Sequence, residues 1–238
     1  MQDFIESKYI LNRKIVIEVR YGILPFVLDN RGMIADSIIS TKAIKSSNWG
    51  FAHNGIEVYD EINTRAEFFR VDINVFTLID ETFHSNEEYW NKFSNLYKTL
   101  VDVLEHPDQK FLRIGCRILG TYNFNNKTYE DVSHMFIKHF PTSLTIDSLK
   151  YNDSKLLLVY DNGRYECGPV NQNDPWTEMN FMKTSKFNPS FGFAIDTDNY
   201  SLNTGNLNLA SLSKIKDVFA ASLAIEQNIF QKISMLNG

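Results

Sequence analysis

A chain of 238 residues with 43% apolar and 13% aromatic side chains is long and apolar enough to bury a core, which excludes a wholly disordered chain. The formal net charge of −5 argues against a broad nucleic-acid-binding surface, so nucleic acid is not an expected partner. Two cysteines, Cys116 and Cys167, are too few for a disulfide framework or a four-thiolate zinc site and fit a reduced cytoplasmic location.

The start, MQDFIESKYILNRK, carries acids early and lacks an apolar run, so no signal peptide is expected. The longest apolar stretch, Ile23 to Leu28, contains Pro25 and falls far short of the roughly 20 residues that span a bilayer, so no membrane partner is expected. Lys14–Tyr21, KIVIEVRY, alternates with period two and predicts a half-buried strand. Pro25 and Asp29-Asn30-Arg31-Gly32 then read as interruptions. Trp49–Phe51 and Ile56–Tyr59, joined through His53-Asn54-Gly55, predict a hairpin, and Phe69, Val71, Ile73 and Val75 mark one further strand.

Ser85-Asn86-Glu87-Glu88 has the spacing of a capping box, followed by an apolar stripe at Tyr89, Phe93, Leu96, Leu100, Val101 and Leu104. A helix ending at His106-Pro107 is expected. Phe111–Thr121 predicts a strand with Leu112, Ile114, Cys116 and Ile118 on one face and Arg113, Gly115 and Arg117 on the other. A second helix is expected from Thr128 to Pro141.

Short strands are then predicted at Thr145–Leu149, Leu156–Tyr160, Arg164–Cys167, Trp176–Lys183 and Phe191–Asp196, and a final helix capped by Ser211 carries Leu212, Ile215, Phe219, Leu223, Ile229 and Ile233. Several strands followed by a long helix thus occur twice, near residues 10–105 and 142–236. The expected fold is α+β, with one domain over residues 1–238. It would be made of two similar halves, at about 10–125 and 142–236, each of antiparallel strands followed by a long amphipathic helix and sharing one core.

Three patches resemble a sporadically distributed bacterial family of uncharacterised proteins. In that family a helix of W/Y-x-x-F type runs into a strand with the signature R-x-G-L-R-Y-I-N-R. The stretch Tyr89–Asn123 is similar, with Arg113, Gly115 and Arg117 matching and Cys116, Ile118, Leu119, Gly120 and Thr121 departing from the signature. KIVIEVRYG resembles the family's opening strand, and SLAIEQNIFQKI its final helix. The resemblance, to a divergent member, implies a fold and a bacterial source. It implies no reaction.

Motifs for catalysis are sparse. Gly115 and Gly120-Thr121 have the outer spacing of a phosphate-binding loop, but the lysine that meets the phosphates is missing and the segment alternates like a strand. His134 and His139 are five apart, about 140° around a helix, too far to share a metal. Asp196-Thr197-Asp198-Asn199-Tyr200 begins like a calcium loop but lacks the glycine and closing glutamate, and reads as a solvated turn. Ser190 lacks the first glycine of a nucleophile elbow. Cys116 faces the apolar side of its strand, whereas Cys167, beside Gly168-Pro169, is expected to be more exposed. No catalytic residue, metal site or cofactor is therefore expected.

One constellation stands out. Glu18 and Arg20, Arg70 and Asp72, and Arg113 and Arg117 each lie on the non-core side of a predicted strand. Such residues form either a solvated charge ladder or an anion-binding patch centred on Arg113 and Arg117, whose guanidinium forks suit phosphate or carboxylate. A second candidate is an aromatic surface from Trp49, Trp90, Trp176 and the segment Asn171–Trp176. The expected function is a non-catalytic protein-binding or assembly component, binding a protein partner or itself. The alternative is a hydrolase or nuclease acting on a phosphorylated substrate through Arg113, Arg117, Asp72 and His134, within a bacterial defence module.

Overall fold

The structure is a computed structural model of the chain. It describes residues 5–45, 48–60, 66–122, 129–139, 155–170, 192–202 and 205–235. The predicted strands at Thr145–Leu149 and Trp176–Lys183, Ser190, and the segment Asn171–Trp176 lie outside the described residues.

The fold is α+β, and among the described residues it has one nine-stranded antiparallel sheet and five α-helices. In chain order the elements are β1 (Ile10–Tyr21), α1 (Phe26–Asp29), α2 (Arg31–Ser40), β2 (Asn48–Ala52), β3 (Gly55–Tyr59), β4 (Glu67–Asp72) and β5 (Val75–Asp80). Then follow α3 (Asn86–Leu104), β6 (Phe111–Tyr122), α4 (Tyr129–His139), β7 (Leu156–Tyr160), β8 (Gly163–Val170), β9 (Gly192–Leu202) and α5 (Leu212–Met235). The spatial order is β2-β3-β4-β5-β1-β6-β9-β8-β7. The two 12-residue strands β1 and β6 pair with each other at the centre, and each is flanked on its other side by a strand that precedes a long helix, β5 before α3 and β9 before α5.

Alternation puts Ile15, Ile17 and Val19 of β1, Phe76 and Leu78 of β5, and Ile114, Cys116 and Ile118 of β6 on one face, all of them buried. There they meet Tyr89, Phe93, Leu96, Tyr97 and Leu100 of α3, together with Ile215 and Phe219 of α5. Farther along, Tyr122, Phe193, Ile195 and Cys167 are covered by Val132 and Phe136 of α4 and by Ile229, Phe230 and Ile233 of α5. The helix α5 thus contributes to both apolar clusters. Tyr89 ties helix to sheet directly, because its hydroxyl accepts from the Ile17 amide and donates to the Leu78 carbonyl, each at 3.1 Å. None of the described helices is long and apolar enough to cross a membrane.

Several local expectations are corrected. Residues 69–75 do not form one strand. Ile73 and Asn74 make a turn between β4 and β5, held because Leu24 N donates to Ile73 O at 2.6 Å and Tyr21 N to Asn74 O at 2.9 Å. The segment after Pro25 is helical rather than merely interrupted, since Ile34, Ala35 and Ile38 bury against the core. Ser85 caps α3 by accepting from Glu88 N at 3.0 Å, as expected, but Glu88 reaches back to the amide of His84, one residue earlier than the box requires. Ser211 stands immediately before Leu212, the first residue of α5, as expected of its cap. It closes a short turn of 3-10 helix in which the Asn208 side chain accepts from its amide at 3.3 Å. Cys167 is buried, like Cys116.

Candidate functional site

The face opposite the helices carries the charged constellation. In register, Arg20 pairs with Arg113 and Glu18 with Gly115 across β1 and β6, while Arg113 faces Leu202, Gly115 faces Tyr200 and Arg117 faces Asp198 across β6 and β9. Asp196 to Tyr200 is therefore part of β9 and not a solvated turn: its acids point from alternate positions at the arginines of β6.

Each guanidinium of the constellation meets a carboxylate. Glu18 Oε1 accepts from Arg20 Nε at 2.7 Å and from Arg113 Nη1 at 3.1 Å, and Arg113 Nη2 reaches Asp198 Oδ1 at 3.3 Å. Arg117 forms a fork to Asp196, Nε to Oδ1 at 2.8 Å and Nη2 to Oδ2 at 2.6 Å. On β4, Arg70 Nε donates to Asp72 Oδ2 at 2.7 Å and Nη1 lies 3.8 Å from Glu57. The Arg113 guanidinium also lies 5.0 Å from the Tyr200 ring centroid. Gly115 makes room for it, since a side chain there would start 2.7 Å from Arg113 Nη1. The structure thus joins Glu18, Arg20, Arg113 and Asp198 in one cluster and Arg117 with Asp196 in another. Arg70 and Asp72 stand apart, because β5 lies between β4 and β1. An incoming anion would have to displace the carboxylates already seated in these forks.

Three further ionic groups cluster at the sheet end formed by the start of β1 and the end of β5. Lys92 of α3 donates to both Glu67 and Asp80, which are fully buried. Burial opposes its charge, but the two carboxylates outweigh that and hold its pKa above the usual lysine value. Arg13 donates to Glu226 of α5 through Nε at 2.8 Å and to Asn86 Oδ1 through Nη1 at 2.7 Å, and the Tyr122 hydroxyl donates to the same glutamate. Burial, with the Glu226 charge behind it, raises the Tyr122 phenol well above its normal value.

On the opposite face Lys14 contacts Glu81. Burial and the nearby Arg117 guanidinium pull the Lys14 ammonium down to about 7, while Glu81 favours the charged form; the direction is downward because the ammonium is almost wholly desolvated. Beside these groups opens a cavity of about 600 Å³, lined in part by Ile10, Asn12, Arg13, Glu81, Phe83 and His84.

The remaining candidates do not converge. His134 is exposed on α4, which packs over β8 on the helix-bearing face, whereas Asp72 lies on the other face five strands away. His139 is exposed on the same helix. Among the described residues no three His, Cys, Asp or Glu side chains form a group that could hold a metal ion. Desolvation pushes both thiols, Cys116 and Cys167, up to about 12, which leaves them poor nucleophiles. Trp49 is exposed at β2 and stacks edge-on with Phe51, but Trp90 is buried between Phe93 and Phe219. The apolar exposure that composition does not reveal is at the opposite edge of the sheet, where Leu157 (51%), Leu158 (44%) and Val159 (75%) of β7 face solvent. Compared with known protein families, curated proteins and solved structures, the chain matches none.

Proposed function

We propose that this chain is a non-catalytic protein-binding or assembly component of a bacterial cytosol, and that it self-associates through the β7 edge. The observation that carries the reading is the β7 edge itself. Among the described residues β7 pairs with β8 alone, and three consecutive apolar side chains, Leu157 to Val159, are exposed on both of its faces. Such an edge is a template for a further strand. A second copy fits it: Leu156–Tyr160 holds no charge, so an antiparallel pairing about a twofold centred on Leu158 sets apolar against apolar with nothing to repel.

Two structural readings accompany this proposal. The first is that the chain is one domain of two related halves; support comes from the central β1·β6 pair and from the recurrence of a long strand, a helix, a strand meander and a long helix. The second is divergent membership of the bacterial family with the R-x-G-L-R-Y-I-N-R signature. In its favour, the opening-strand patch and the Arg113-x-Gly115-x-Arg117 patch are hydrogen-bonded neighbours, Glu18 opposite Gly115 and Arg20 opposite Arg113.

The test is mass by light scattering across a concentration series for the native chain and for Leu157→Lys/Val159→Lys. A dimer that dissociates in the lysine variant, with unchanged circular dichroism, supports the reading. A native chain that stays monomeric at every concentration removes it.

A further inference from the structure

We propose that β2, the strand at the other edge of the sheet, is a second self-pairing surface, so that copies joined at β7 on one side and at β2 on the other extend as an open row. The row rests on the β7 reading above. The pairing at β2 does not, and three observations carry it.

The first is what the edge exposes. Among the described residues β2 pairs with β3 alone, and Trp49 (37%) and Phe51 (74%) face solvent there. They lie opposite Val58 and Ile56 of β3, which are buried in the core, and so stand on the helix-bearing face. Their rings meet edge-on at 5.5 Å, and the Arg31 guanidinium of α2 lies 5.3 Å from the Phe51 centroid. An aromatic pair held in place at an open edge is the kind of anchor that protein interfaces bury.

The second is the backbone. Ala52 and Gly55 are register partners flanking the two-residue turn His53-Asn54, which makes them a hydrogen-bonded pair. Pairs alternate from there, so the amides and carbonyls of Trp49 and Phe51 point away from β3 and out of the edge. The β7–β8 hairpin repeats the arrangement. Tyr160 and Gly163 flank Asp161-Asn162, and the backbone groups of Leu157 and Val159 point out of the opposite edge.

The third is self-complementarity. Asn48–Ala52 holds no charge, and Glu57, which faces Gly50 in register, stands on the other face and is met by Arg70 at 3.8 Å. An antiparallel pairing about a twofold at Gly50 sets Trp49 opposite the partner's Phe51. There the outward backbone groups exchange hydrogen bonds, and the four rings gather on one face. Each edge therefore makes an isologous contact of its own. Pairing at both continues the sheet along its hydrogen-bonding direction, and nothing closes the assembly at a dimer.

The experiment measures mass by sedimentation across a concentration series, with circular dichroism to confirm folding of each variant. The native chain is expected to pass beyond a dimer as concentration rises. Phe51→Lys, at an exposed position, and Leu157→Lys/Val159→Lys should each stop at a dimer, and all three substitutions together at a monomer. Register is read from Gly50→Cys under mild oxidation. A side chain there meets the Tyr59 hydroxyl at an ordinary 3.6 Å, and both native cysteines are buried. The twofold brings the two substituted positions to about 4.5 Å between Cα atoms, within disulfide reach. Gly50→Cys should therefore cross-link, whereas Ala52→Cys, about 13 Å from its copy, should not. A native dimer that the β7 lysines dissociate and Phe51→Lys leaves intact overturns the proposal and spares the β7 reading. A dimer that Phe51→Lys dissociates and the β7 lysines leave intact supports pairing at β2 and removes the β7 reading. No cross-link at Gly50→Cys, or an equal one at Ala52→Cys, overturns the proposal.

Discussion

Arg117 of β6 grips Asp196 of β9 through two bonds of 2.8 and 2.6 Å, although its register partner on that strand is Asp198. The diagonal leaves Asp198 for Arg113, whose guanidinium folds back across Gly115 to reach it. Asp196 has 5% of its side chain exposed and Arg117 has 20%, so the pair is largely out of water and each partner depends on the other. Arg117→Ala is expected to cost about 2–3 kcal/mol, somewhat below a fully buried pair because the arginine keeps some solvent. Arg117→Ala/Asp196→Ala should recover roughly half of that, giving a coupling well above the 0.2–1 kcal/mol of an exposed pair. Urea unfolding of the four members of the cycle measures it.

The Lys92 cluster is more demanding, since one ammonium serves Glu67 and Asp80 with neither carboxylate exposed. Lys92→Met strands two buried negative charges and should lose about 3–5 kcal/mol. Adding Glu67→Gln and Asp80→Asn should restore most of it, because the neutral amides still accept from Lys45 N and from Thr82, the bonds now at 3.1 Å and at 2.7 and 2.9 Å. Failure of the triple variant to recover would show that packing of the Lys92 stem, not its charge, dominates.

What the sequence made legible follows from how long each pattern runs unbroken. The strand KIVIEVRY, the Tyr89–Leu104 stripe and the last helix repeat often enough for their period to dominate, and each is found where expected. The helix α2 was not legible because RGMIADSIIS places Ile34, Ile38 and Ile39 without a clean polar face. The Ile73-Asn74 turn was hidden because it keeps the alternation of its flanking strands and contains neither glycine nor proline.

The acids of β9 were misjudged for a related reason. Asp196-Thr197-Asp198 alternates like a strand, but its outward residues are charged, so it reads as loop unless Arg113 and Arg117 are known to lie opposite. The buried ionic groups could not be read at all. Arg13 and Glu226 are 213 positions apart, and only the fold brings them to 2.8 Å.

High pH should unfold the protein earlier than composition suggests. Desolvation raises Cys116 and Cys167 from 9.0 to about 12, and raises the Tyr89 and Tyr122 phenols well above 10.0. The folded chain therefore keeps protons that the unfolded chain releases above about pH 9 to 10. Stability from these groups is complete below pH 9 and is lost as pH rises toward 12. Lys92, also held above its normal 10.5, adds to the loss in the upper part of that window. Lys14 works the other way, since burial pulls its ammonium down to about 7 and so adds stability as pH rises from about 7 toward 10. Melting temperatures measured from pH 7 to 11 should therefore pass through a maximum near pH 9 and then fall, and thiol labelling at pH 8 should be slow until denaturant is added. A flat profile to pH 11 would contradict the burial of these groups.

Tyr89 offers the narrowest test of how α3 is joined to the sheet. Ile17 and Leu78 are register partners on β1 and β5, and the Tyr89 hydroxyl bonds the amide of one and the carbonyl of the other, each at 3.1 Å. Tyr89→Phe removes a single oxygen from a fully buried ring and changes no apolar contact. The loss should nevertheless reach about 1–3 kcal/mol, because a buried donor and a buried acceptor lose a partner together and no water can replace it. Amide exchange at Ile17 should quicken in the variant more than at Val19, which lies on the same face of β1 but receives no bond from the tyrosine. Equal exchange at both positions would mean that the strands close over the gap by themselves, and that the hydroxyl orients α3 without bracing the centre of the sheet.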